Sequence, residues 1–143
     1  KIIKYKLSGK NMIKTPESTK LVAAMKQFKA VRTVIFQEEF YKAVIDATLY
    51  VPVTVDKNQS GDKKNGKLCA LKTPDGKRYL SVFTSLDELR KSYGERDDVM
   101  TMLQNFVFIR EIVTKENSGL DGFIIDEKGE NIAIPREEML PKE

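Results

Sequence analysis

Apolar positions along the chain change period several times, and each change marks an element. Leu21, Ala24, Met25 and Phe28 recur at helical spacing and predict a first helix running to about Ala30. Thr15-Pro16-Glu17 supplies its start, with a hydroxyl for the cap, a proline at the first helical position and an acid in the first turn. Ahead of it, Ile3, Tyr5 and Leu7 alternate with Lys4 and Lys6, so residues 1–14 read as a basic arm or a short strand. Val31 to Phe36 interrupts the helical pattern, and a second helix is expected over about Gln37 to Ala47, with Phe40, Val44 and Ala47 on one face. Leu49 to Val55 is rich in β-branched residues and reads as a strand. Its Pro52 cannot donate to a ladder, which points to a sheet edge or a bulge.

Beyond the polar stretch from Asp56 to Lys67, read as a long hairpin loop, a strand is expected over Leu68–Thr73. A Pro74-Asp75-Gly76 turn follows, and then a strand over Arg78–Phe83. Ser85-Leu86-Asp87-Glu88 has the form of a capping box opening a short helix that turns Leu86 and Leu89 inward. Val99 to Met102 reads as a short strand and Leu103 to Lys115 as a helix, although Phe106-Val107-Phe108-Ile109 taken alone fits a strand equally well. A final hairpin pairs Gly122–Ile125 with Asn131–Ile134, Pro135 stops it, and a helical turn carries Met139 and Leu140. These elements predict one α+β domain spanning residues 1–143, with an antiparallel or mixed sheet of about five strands and helices packed on one face.

Composition narrows the chemistry. The 143 residues contain no histidine and a single cysteine. Ser-His-Asp and Cys-His catalysis and histidine-ligated metals are therefore excluded, as are an intramolecular disulfide and a cysteine-rich zinc site. A lone Cys69 between Leu68 and Ala70 reads as a buried, inert thiol and fits a reducing, cytoplasmic setting. Lys1 is not an initiator methionine, so a processed or truncated start is expected, and no leader pattern opens the sequence. No apolar run approaches the roughly 20 residues of a membrane span.

The net charge of +4 is unevenly spread. Residues 1–32 carry nine basic residues against one acid, and the remainder carries sixteen against twenty. Lys4, Lys6, Lys10 and Lys14 are the candidate anion-binding residues of the arm. The lysines of the first helix fall opposite Leu21, Ala24 and Phe28, where a solvated face belongs. Acids gather at Asp97-Asp98 and at Asp121, Asp126, Glu127 and Glu130, in predicted turns and without the spacing of a calcium loop. No phosphate-binding glycine loop is present.

With its elements in this order, the chain resembles the SseB N-terminal domain family over roughly residues 18–140. The resemblance rests on Leu21 with Ala24-Met25, on Phe40, and on Leu49-Tyr50-Val51-Pro52-Val53. It continues through Tyr79-Leu80-Ser81-Val82-Phe83-Thr84-Ser85 with Leu89, and Gly122-Phe123-Ile124-Ile125-Asp126 with Pro135. It implies an α+β domain of bacterial origin with no agreed catalytic residues, joined in longer relatives by a second, C-terminal domain. The expectation is accordingly not an enzyme, with no catalytic, cofactor or metal residues, but a cytoplasmic protein-interaction module of the adaptor or immunity type. Its partner would be another protein, with no membrane involved. Tyr50, Pro52 and Tyr79 are the candidate partner surface, with Pro52 on an edge strand open to β-augmentation. The alternative is nucleic-acid binding through the basic arm and first helix.

Overall fold

A computed structural model describes residues 16–55 and 66–140. The arm with Lys4, Lys6, Lys10 and Lys14, the Thr15 cap and most of the 56–67 loop lie outside the described residues. Helix α1 (Pro16–Ala30) leads into α2 (Val34–Asp46). The second helix begins three residues earlier than its apolar pattern predicts, because Thr33 caps it. The Thr33 side-chain oxygen accepts the Phe36 N–H at 3.2 Å, and a satisfied first turn overrides the weak helical preference of Val34-Ile35. Thr33→Ala should cost about 1 kcal/mol of stability in urea denaturation; a change near zero would show that this hydroxyl does not hold the helix.

The expected α+β class holds. Among the described residues seven strands form two sheets rather than one of about five. In the first, β1 (Thr48–Val55) lies between β2 (Gly66–Leu68) and β5 (Val99–Asn105), all antiparallel. In the second, β3 (Ala70–Lys72), β4 (Arg78–Val82), β6 (Gly122–Ile125) and β7 (Ile132–Pro135) lie in that order, with β4 and β6 parallel. The single strand expected over Leu68–Thr73 is thus divided at Cys69, β2 pairing with β1 and β3 with β4. An antiparallel bridge joins the sheets: Tyr50 N–H donates to Phe83 O at 2.8 Å, and Phe83 N–H returns to Tyr50 O at 2.9 Å.

This bridge explains Pro52. The expected edge position is corrected, because β1 is the middle strand of its sheet and Pro52 is buried. Donors on one strand alternate in side, so the N–H that Pro52 lacks would point the same way as that of Tyr50. It falls between the Phe83 bridge and the β2 ladder, which starts at Val53↔Leu68. The ladder therefore loses no partner there, and an interior proline is tolerated.

Helices α3 (Leu86–Tyr93) and α4 (Phe106–Thr114) complete the domain, with a final 3₁₀ turn over Arg136–Met139. Asn105 caps α4, its Oδ1 accepting the Phe108 N–H at 3.1 Å. The 106–109 segment is thereby helical, and residues 103–105 stay with β5. Ser85 caps α3 as its sequence predicts, but Glu88 does not complete the box: its Oε2 instead accepts from Lys91 Nζ at 2.7 Å.

The main core brings Leu21 and Met25 of α1, Phe40 and Val44 of α2, and Ile109 and Val113 of α4 onto the sheet residues Leu49, Val51, Leu80, Val82, Phe123 and Ile125. Tyr50 and Phe83 point the other way and pack with Leu86, Leu89 and Tyr93 of α3. The rings of Phe83 and Tyr93 meet edge to face at 6.0 Å. Helices therefore cover both faces, three on one and α3 on the other, where one face was expected.

Candidate functional site

The residues nominated from sequence do not gather into a site. Tyr50 is 8% exposed and Pro52 is buried, so neither offers a partner surface; the bridge to Phe83 and the cover of α3 remove them from it. Tyr79 is half-buried between Leu71 and Gly122 on the neighbouring strands. Burial also raises the Tyr50 phenol above its ordinary pKa. On α1, Lys20, Lys26 and Lys29 are exposed opposite the fully buried Leu21 and Met25, a solvated face, with Lys29 Nζ donating to the Glu130 carbonyl. Of the other turn acids, Asp98 pairs with Arg96 at 2.8 Å within its own turn, while Asp121 accepts the Arg78 N–H at 3.0 Å and Glu127 the Ser81 hydroxyl at 2.7 Å, both tying their turns to β4. Cys69 is a buried thiol whose pKa burial pushes up, so it remains protonated.

Asp126 behaves differently, and nothing in its sequence neighbourhood announces it. It is 2% exposed and sits in the left-handed region at φ 54° just beyond β6. Its Oδ1 accepts the Thr84 N–H at 2.8 Å, and its Oδ2 accepts the Thr84 hydroxyl at 2.7 Å. Its own N–H donates to Val82 O at 3.0 Å, and its carbonyl accepts from Gly129 and Asn131 at 2.8 and 2.9 Å. One residue thus closes the β6–β7 turn and clasps it to the end of β4. Burial lifts its carboxyl to about 6, opposed by the two Thr84 hydrogen bonds; the negative charge of Glu88 adds to the rise and Lys91 counters it. A cavity of about 570 Å³ lies alongside, between α1 and α3, with Lys26 and Lys91 on its wall. Because Thr84 occupies both Asp126 oxygens, the carboxylate serves as a structural clasp.

The feature best suited to binding was missed from sequence. A groove of about 490 Å³ runs between α2 and α4. Tyr41, Val44 and Ile45 form its α2 wall, Phe106, Arg110 and Thr114 its α4 wall, and Ile134 with residues 138–140 its end. Large apolar side chains stay exposed around it. Ile45 is 56% exposed, and Val107 and Leu140 are also open to solvent. At the far end of the same helix Val34 and Ile35 are 68% and 67% exposed. Arg110 lies over the Phe106 ring at 5.9 Å. Tyr41 accepts a hydrogen bond from Gln37 Nε2 at 3.3 Å. Its phenol is raised in pKa chiefly by burial, with Glu138 contributing, so it stays neutral. A signal was available in the sequence: α2 is apolar on its outer side (Val34, Ile35, Tyr41, Ile45) as well as its inner one, a distribution that calls for cover on both.

Residues 21–139 match the family described as the SseB protein N-terminal domain, and the chain belongs to that family. No curated protein and no solved structure matches the chain.

Proposed function

We propose that this member of the SseB N-terminal domain family is a non-enzymatic protein-interaction module, of the adaptor or immunity type, that docks a partner protein on α2 and the α2–α4 groove. The observation that carries the reading is the exposure of Val34, Ile35 and Ile45 on one helix, leading into a groove floored by Val44 and Met139. Exposed apolar patches rimmed by polar groups mark interaction sites on soluble domains. The absence of histidine from the whole chain removes the commonest general base and agrees with a binding role. No helix among the described residues is long and apolar enough to cross a membrane.

Ile45→Glu tests the assignment, because a side chain this exposed can change without disturbing the fold. Its denaturation midpoint should stay within about 0.5 kcal/mol of the parent. Affinity capture from lysate of the source organism at about 50 and 200 mM salt should retain one protein on the parent chain at both salts. The variant should lose it at least tenfold. Equal retention by both chains would refute the groove. Nucleic acid held only at low salt would transfer the function to the basic arm, since phosphate contacts weaken steeply with salt.

A further inference from the structure

Resting on that reading, we infer that the groove's occupant is an amphipathic helix of the partner, with an acidic side chain beside the apolar residue that meets Ile45. The helical form follows from the shape of the exposed surface. Val34, Tyr41 and Ile45 are spaced at i, i+7 and i+11, which sets them in one straight stripe along α2. The stripe is about 16 Å long at 1.5 Å per residue. An apolar stripe of that length, three turns of helix, matches the complementary stripe of a second helix laid along it.

Charge sets the register. Two ionised side chains line the groove, Arg110 and Glu138. Glu138 lies near enough to the Tyr41 phenol for its charge to help raise that group's pKa. Arg110 is exposed on α4, over the Phe106 ring, and among the described residues no ion pair engages its guanidinium. A guanidinium fork above an apolar groove selects a carboxylate. Since Arg110 and Ile45 line the same groove while Val34 lies eleven residues away, the acid belongs at the Ile45 end of the occupant. Glu38, exposed one turn after Val34 and flanking the stripe, favours a basic residue toward the other end. The occupant is thus polar in a defined direction.

Two fluorescein-labelled 15-residue helical peptides probe this directly. Both carry leucines at i, i+7 and i+11 with a lysine near the first. They differ only in a Glu or a Lys beside the last. Fluorescence anisotropy at about 150 mM salt should show the Glu peptide binding at least tenfold more tightly than its Lys twin. Arg110→Glu should erase or reverse that preference, and Ile45→Glu should abolish binding of both peptides. Circular dichroism establishes that each variant is folded, as expected for exposed positions. Equal binding of the two peptides, or a preference unchanged in Arg110→Glu, overturns the inference. Should neither peptide bind while captured protein still requires Ile45, the docking function stands and the helical, acid-bearing occupant is wrong. Sedimentation that reveals a dimer lost in Ile45→Glu would overturn it in favour of a second copy of this chain.

Discussion

Gly122→Ala is expected to destabilise the domain by about 3 kcal/mol or more, a large share of the roughly 5–15 kcal/mol by which a native domain is stable. A β-carbon at this position would overlap the carbonyl oxygen of Ile134 and stand 3.0 Å from the Pro135 Cα. Both obstacles are backbone atoms, so no rotamer change relieves them. Gly122 pairs with Pro135 in the β6–β7 ladder and with Tyr79 in the β4–β6 ladder, so a displaced β7 would also withdraw Ile132 and Ile134 from the core. Gly76→Ala is the natural comparison. It too has positive φ, in the 74–76 turn, but its β-carbon would meet nothing within 4 Å, and a cost of only about 1 kcal/mol is expected. Urea denaturation of the two variants measures the difference, and equal costs would mean that the strands do not approach as closely as described.

The second large effect concerns pH. A carboxyl whose pKa is raised from 3.8 to about 6 on folding holds its proton more tightly in the folded state. Its stabilising contribution is complete below about pH 4 and is lost as pH rises through about 6. Asp126 alone should therefore make the domain about 1–1.5 kcal/mol more stable at pH 5 than at pH 7.5, and its full span is on the order of 3 kcal/mol. Asp126→Asn removes the titration while keeping one acceptor for Thr84, and the Thr84 hydroxyl can turn to accept from the new amide. Urea denaturation between pH 5 and 8 should show this part of the slope disappear in the variant, with little loss of stability at pH 7.5. A slope identical to that of the parent would show that Asp126 titrates normally and is not the buried clasp.

Much of this fold could be read locally. Ser85 caps α3, and the final hairpin forms where expected, although its second strand is Ile132–Pro135, with Pro135 paired to Gly122 rather than stopping the strand and Asn131 left in the turn. Each of these depends on residues within a few positions of one another, where spacing and turn chemistry act directly. The same locality accounts for the early start of α2. Thr33 supplies a cap in the sequence, but the β-branched run behind it breaks the apolar period and so hides the first turn that the cap stabilises.

What the amino-acid sequence determined by itself was the family, the α+β class, the exclusion of histidine chemistry and which side chains share a face. Only the tertiary structure decided what covers each face. Tyr50 is buried because Phe83, thirty-three residues away, bridges to it and α3 lies over both. Pro52 stands inside a sheet because the partner strand changes beside it. Asp126 becomes a clasp because Thr84, forty-two residues earlier, directs two donors at it. The outer side of α2 remains open because α4 packs against that helix and leaves a groove beside Ile45. Periodicity fixes the direction of a side chain relative to its own backbone. Whether that direction leads to solvent, to a core or to a hydrogen-bond donor depends on contacts between distant segments, and these form only when the whole chain packs.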